Sequence, residues 1–370
     1  MKLGINKRWP IIALTLASLT STAFAVDDMQ MRNLENRVSA LEQKKGANGM
    51  INPPARPVVR DGINLWTQVE AIWFRPQEDG LYYVQKVHNG DFAGKIHNAH
   101  FNWAWGFRLG VGYNLPHDGW DLLMNWTRYR TDATQNTSKG KKSTLRQTLI
   151  NPIDTNSALT TWDSARAKVN LHYNVLDLEM GREFFVSKWL TIRPQFGGRA
   201  LWIKRNLWYR YPCSDCSVIV TGRHVNHFSG GGLRGGFNTQ WGFGMGLSLY
   251  GDLALSLLYG TQRLHQKGLD QAPAGPYFNE KTRDGWVINR PMLDLGIGVR
   301  WDRLLSNDTL RLRLQLGWEQ HILWGFAKGI NYVDGVGIGN ADIPGEQGKF
   351  TFNNGDFTIS GLTFQARFDF

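Results

Sequence analysis

Residues 361–370 read Gly361-Leu362-Thr363-Phe364-Gln365-Ala366-Arg367-Phe368-Asp369-Phe370, and this stretch decides how the rest of the chain is read. Leu362, Phe364, Ala366, Phe368 and Phe370 alternate with Thr363, Gln365, Arg367 and Asp369. That period of two belongs to a strand with one apolar and one polar face. A strand of a soluble sandwich accounts for the alternation but not for the closing Phe370. Leu362, Phe364, Phe368 and Phe370 are therefore expected to form the C-terminal signal by which the outer-membrane assembly machinery recognises its substrates.

The opposite end agrees with export. Lys2, Lys7 and Arg8 precede an apolar run from Ile11 to Leu19, and Ala23-Phe24-Ala25 follows. This is the order of a secretory signal peptide over residues 1–25, cleaved after Ala25. The apolar run is roughly half the ~20 residues that a spanning helix needs. No later stretch is long and apolar enough for such a helix, in keeping with a mean hydropathy of -0.35. An exported chain can still span a membrane as a closed barrel, because closure pairs every backbone group and its strands need only one apolar face.

Composition narrows the partners. The net charge of +11 falls to +8 once the three leader cations are removed. That excess suits an anion path, lipopolysaccharide phosphates or nucleic acid; an exported chain without a binding motif excludes nucleic acid. The 41 glycines and the 16 Trp, 11 Tyr and 19 Phe match what outer-membrane strands use. Glycine is expected to keep a crowded lumen open, and aromatic rings to sit at the lipid interfaces. The two cysteines, Cys213 and Cys216, are expected to close a small loop as a disulfide, with a redox pair or a zinc site as the weaker readings. His224 and His227 follow closely enough for a surface metal site to be conceivable. No metal or cofactor is expected.

Four regions follow. After the leader, Met31, Leu34, Val38 and Leu41 repeat at spacings of three and four, so residues 26–45 read as a short coiled-coil-like helix. Two heptads over residues 29–42 are either a homo-oligomerisation segment or a frayed helix on a linker. Residues 46–63, with Gly46, Gly49, Pro53, Pro54 and Pro57, form a linker. From residue 64 to residue 370 the period is two. Trp103, Trp105, Phe107, Leu109, Val111 and Tyr113 alternate with Ala104, Gly106, Arg108, Gly110 and Gly112; equivalent splits recur at 120–127, 237–247, 293–301 and 310–319. The pattern from Val169 to Met180 changes phase near Val175, which reads as a bulge.

Connections alternate short and long, as in an outer-membrane barrel with periplasmic turns and external loops. Short turns are expected near 115–118, 185–188, 250–251 and 303–308, and long loops over 76–100, 131–166, 205–231, 264–287 and 325–355. The fold class is thus all-β, a transmembrane antiparallel up-and-down barrel of about ten strands with a short N-terminal helical segment. Twelve strands is the alternative, should Leu81 to Val87 pair within the sheet. Tyr113, Trp120, Trp189, Tyr250, Trp301 and Phe370 would make the periplasmic girdle, and Trp73, Trp103, Trp126, Trp202 and Trp318 the outer one.

Several runs resemble the Legionella major outer membrane protein family of pore-forming proteins, which has relatives in chlamydia-like bacteria. They are Gly106-Phe107-Arg108-Leu109-Gly110-Val111-Gly112-Tyr113, Trp120-Asp121-Leu122 with Thr127-Arg128, and Asp177-Leu178-Glu179-Met180-Gly181-Arg182. Leu190-Thr191-Ile192-Arg193-Pro194, Ser256-Leu257-Leu258-Tyr259-Gly260, Gly317-Trp318-Glu319 and the ending from Gly361 extend the likeness. The resemblance implies an outer-membrane pore with an adhesive surface role toward a host.

The faces assign Arg108, Arg193, Arg199, Arg205, Arg300, Arg311 and Arg313 to the lumen, opposed by Glu70, Asp121, Asp177, Asp294 and Glu319. A basic surplus there would give weak anion preference in a porin passing small hydrophilic solutes. Paired across the lumen, the same charges would plug it and leave a structural or adhesive barrel, displaying the Ser/Thr-rich segment from Thr131 to Arg166. An enzyme would need a nucleophile beside a base; His172 and His321, read as inward, and Asp177 have no nucleophile motif near them, so no catalytic residue is assigned.

Overall fold

The computed structural model describes residues 59–370 except 61, 89–93, 117, 150–161, 216, 272–277 and 334–348. The leader, the coiled-coil-like helix, most of the linker and Cys216 lie outside the described residues. Ten strands run up and down: β1 (Leu65–Glu78), β4 (Ala104–Asn114), β5 (Trp120–Ser138), β7 (Ser164–Arg182), β9 (Leu190–Cys213), β10 (Val218–Gly244), β11 (Leu247–Gln271), β12 (Phe278–Leu305), β13 (Leu310–Val333) and β14 (Lys349–Asp369). Each pairs antiparallel with its neighbour, and β1 pairs with β14, Trp66 opposite Asp369, so the sheet closes. Closure leaves no unpaired edge, which a strand in lipid requires. The two-residue strand β8 (Phe184–Phe185) borders the foot of β9.

Two excursions supply a second sheet: β2 (Tyr82–His88), flanked by β3 (Gly94–Asn98) and β6 (Ser143–Gln147). Tyr82–His88 therefore leaves the barrel, and the count is ten, not twelve.

The strands are longer than the alternation suggests, reaching 24 residues in β9, 27 in β10 and 28 in β12. Crossing a bilayer takes about 9–11 residues at a tilt near 45°. On β12 the outward apolar set Leu293, Leu295, Ile297, Val299 and Trp301 gives a belt about 20 Å tall at a rise near 3.4 Å per residue and that tilt. Beyond the belt on the outer side, the described parts of these long strands continue as barrel wall in water. Most of the segments 205–231 and 264–287 are wall and not loop.

Three expectations fail for identifiable reasons. No bulge interrupts β7: its register to β5 and β9 is continuous from Arg166 to Gly181, and odd-numbered residues face inward throughout. What changes near Val175 is the medium on either side of the wall. The expected turn at 250–251 lies instead at Gly244-Met245-Gly246, with φ of 97°, 52° and 79°, a left-handed run that glycine makes accessible. Tyr250 consequently faces the lumen, buried, and leaves the girdle.

Some inward glycines make room for rings and not for a passage. A Cβ on Gly112 would sit 2.0 Å from the Trp66 ring, and one on Gly222 2.1 Å from Tyr209. These positions are bare so that a ring can lie across them.

The candidate functional site in the barrel lumen

The interior has two storeys. At the level of the lipid belt it is polar, and a cavity of about 160 Å³ is lined from most strands of the barrel. Arg108 on β4 reaches across β1 and β14 to β13, binding Glu70 at 2.9 Å and Glu319 at 2.8 Å. Glu319 lies 3.3 Å from Nε2 of His321, whose Nδ1 is 2.8 Å from Asp294. Asp294 also takes Arg199 at 2.7 Å, and Arg199 holds Asp177 at 2.6 Å. A continuous chain of charge-assisted hydrogen bonds thus joins β4 to β9 through β13 and β12, crossing the lumen.

Further pairs close the network. Arg234 bridges Glu179 and Asp294, and Arg193 binds Asp121. Near the periplasmic end Asp302 takes Arg311 at 2.6 Å and Arg313 at 2.8 Å, while Arg367 lies 3.6 Å over the Trp66 ring. Arg300 bonds to Gln315 and Gln240, both at 2.8 Å.

All seven arginines assigned to the lumen from sequence point inward, as do the five carboxylates. Arg205 stands apart, pairing with Glu78 at 2.9 Å beyond the belt. The sequence reading missed Arg234 and Arg367 on the basic side and Glu179, Glu183 and Asp252 on the acidic side. Alternation could have found Arg234, Glu179, Asp252 and Arg367, each on the polar face of its strand, whereas Glu183 lies just past the end of β7. With them included, the cavity walls carry seven arginines and seven carboxylates. The basic surplus disappears.

Beyond the belt the interior is dry. Phe74, Tyr129, Ile203, Phe228, Leu258, Phe326, Phe357 and Ile359 face inward with 0–1 % exposure, and Tyr173 and Leu323 join them. The small sheet adds Tyr83, Val84, Val87 and Leu145. Several hydroxyls here are matched: the Tyr129 hydroxyl donates to the Phe74 carbonyl at 2.8 Å, Tyr83 bonds to Thr137 at 2.7 Å, and the Tyr211 hydroxyl donates to the Tyr83 carbonyl. Asn226 and Gln262 donate to the Phe326 carbonyl at 2.7 and 2.9 Å and pin the irregularity in β13. Burial, with Arg205 nearby, pushes the His224 imidazole down to about 3, so it packs as a neutral ring edge-on to Tyr209.

The remaining candidates separate. His172 faces outward and is not near Asp177 in the lumen, so that pair does not assemble. His224 and His227 point to opposite faces of β10, which rules out a shared metal; no cluster of metal-ligating side chains occurs among the described residues. Cys213 is disulfide-bonded. Leu362, Phe364, Phe368 and Phe370 present their side chains to lipid. Trp73 packs against Trp103 and Trp105, and Trp103 against Trp318, at the outer edge of the belt.

A closed ten-stranded wall, lipid-facing outside and polar inside along one band, defines an outer-membrane β-barrel protein. The chain belongs to the family described as Legionella pneumophila major outer membrane protein precursor, whose pattern matches residues 62–370. No curated protein matches the chain. Among solved structures it is similar to the outer membrane protease OmpT from Escherichia coli, at 11% identity over 84% of this chain and 97% of that one, with a TM-score of 0.35. A FadL homologue of Pseudomonas aeruginosa matches at 8% identity over 82% and 89%, TM-score 0.22. The toluene transporter TodX of Pseudomonas putida matches at 9% over 85% and 92%, TM-score 0.21.

Proposed function

We propose that this protein is a surface-displaying outer-membrane barrel whose lumen is closed to solutes at rest. The observation that carries the reading is the apolar stopper. Six aromatic rings from the wall, Phe74, Tyr129, Tyr173, Phe228, Phe326 and Phe357, fill the outer half of the interior, each at most 3 % exposed. Below them the charges are paired across the lumen. A barrel of ten strands stands between the eight-stranded ones that side chains fill and the porins of 16 or more that leave a channel. The stopper supports grouping this one with the filled barrels. The long outer wall and the small sheet it carries then become the part that meets the surroundings, and an adhesive role follows from that display.

The polar cavity favours one second reading, a gated porin. In that case small hydrophilic solutes enter the lower storey from the periplasm and pass outward only when the stopper loosens. The balanced lining supports no anion preference.

Single-channel recording in a planar bilayer under a salt gradient separates the two. The folded, heat-modifiable barrel is expected to give no discrete current steps. The gated reading requires steps to appear in a Phe228→Ala/Tyr173→Ala variant that remains heat-modifiable. Sustained steps in the unaltered protein overturn closure at rest, and a reversal potential shifted toward the anion would restore the basic lumen.

A further inference from the structure

We infer that the outer surface of β5 to β12, just beyond the lipid belt, is a binding site for the phosphorylated headgroup of an outer-leaflet glycolipid. The strand register places Arg130 opposite His172, His172 opposite Lys204, Lys204 opposite His227, and His227 opposite Arg263. Five adjacent strands thus carry one unbroken row of cationic or protonatable side chains. All five face outward: Arg130, Lys204 and Arg263 are exposed, and the two histidines half-buried.

A second tier stands above the first. His265 lies opposite Arg283, and Arg223 opposite Lys267, which in turn faces Lys281. Asp132 is the acidic residue on the outward face within this field, since Asp284 lies opposite the inward Leu264. Among the described residues no ion pair joins any of these cations to a carboxylate, although nearly every arginine inside the barrel has such a partner. His265 is held below its ordinary value by burial and then by Arg283, Arg263, Lys204 and Lys267.

Height fixes the ligand class. On β9 Lys204 is the next outward residue after Trp202, and on β11 Arg263 lies two outward positions beyond Tyr259. One outward step is about 7 Å along a strand and about 5 Å along the membrane normal at barrel tilt. The row therefore sits at headgroup level, directly above aromatic side chains that mark the interface. A surface protein gains nothing by crowding like charges in water, where they repel. Beside a leaflet of glycolipids bearing phosphates, each lysine or arginine gains attraction instead.

The patch is also one-sided. At the outer edge of the belt on the opposite wall, the outward positions following Trp73, Leu362 and Trp318 are Arg75, Ser360 and Gln320. A ligand that merely surrounded every barrel would not call for this asymmetry; a defined site on one flank does.

The test uses the full chain, folded in detergent with a chelator present so that divalent cations cannot bridge. Binding of a bis-phosphorylated lipid A is compared with binding of its dephosphorylated form and with inorganic phosphate. The expected result is at least tenfold tighter binding of the phosphorylated lipid, a steep loss with added salt, and at least a tenfold loss in Lys204→Gln/Arg263→Gln. Arg75→Gln, on the far flank, should bind as the unaltered protein does. Equal binding of the dephosphorylated lipid, or equal losses in the two variants, overturns the site. Competition by inorganic phosphate at the concentrations of the lipid would likewise reduce it to an adventitious ion only. None of these outcomes depends on whether the lumen conducts.

Discussion

Between Leu176 and Met180 strand β7 turns Leu176 and Leu178 outward and Asp177 and Glu179 inward, whereas between Ala165 and Leu171 it turns Arg166, Lys168 and Asn170 outward and Ala165, Ala167, Val169 and Leu171 inward. The two regions share one register and one backbone geometry, and their polarity is inverted. The lower half is wrapped in lipid and wet inside; the outer half is wet outside and dry within. In the first, apolar burial gives little drive, since lipid tails are as apolar as leucine, and the cross-lumen ion pairs tie the strands together. In the second the ordinary hydrophobic effect operates, as in a soluble barrel.

The sharpest way to break this division is to remove the same side chain from both regions. Phe228 is fully buried in the outer core, and Phe364 is half-exposed on the lipid face. Phe228→Ala leaves a cavity in packed protein and is expected to lower stability by about 3–5 kcal/mol. Phe364→Ala leaves a dent that acyl chains fill, so its loss should be about 1 kcal/mol or less. Urea unfolding from lipid vesicles measures both. Equal losses would mean that the outer half is not a dry core.

A smaller effect tests where the belt ends. Leu178→Lys puts a charge on the lipid face and should destabilise by about 2–4 kcal/mol. Asn174→Lys, four residues further along the same face, should stay within about 0.5 kcal/mol because it adds to a surface already at headgroup level. A large cost at Asn174 would raise the membrane boundary and pull the cationic row into lipid.

That boundary also explains what the sequence could and could not reveal. Alternation made the belt strands legible, because lipid outside and water inside impose opposite demands on adjacent residues; Arg108, Asp121, Arg199 and Arg313 were placed by parity alone. It failed where the demands invert. His172 was read as inward because it is polar, and an unbroken strand was read as bulged. Segments such as 205–231 looked like loops because their outward faces are polar and their inward faces carry His224 and Asn226 among the rings. The apolar stopper was invisible for a different reason. Its six rings come from six different strands, and none forms a local motif. The turn at Gly244-Met245-Gly246 was hidden inside a run of alternating glycines that fits the strand pattern equally well.

The smallest expected effect lies furthest from the membrane, where Asp163 ties β7 to the tip of the β9–β10 hairpin. Its carboxylate pairs with Lys139 and accepts the Ser214 amide at 2.5 Å. Those two contacts, the Lys139 pair first, lower its pKa from 3.8 to about 2. A carboxyl group depressed on folding adds stability that is present above its unfolded value and is lost as pH falls through its folded value. The tie should therefore hold above about pH 4 and be lost by about pH 2. Because the group is partly exposed and screened, its whole contribution should stay below about 1 kcal/mol. Asp163→Asn should accordingly lower the unfolding midpoint slightly at pH 6 and not at all at pH 2. A difference that persisted at pH 2 would assign the effect to side-chain packing in the outer core, and the polar shell and dry interior of this half would then be less separable than their residues imply.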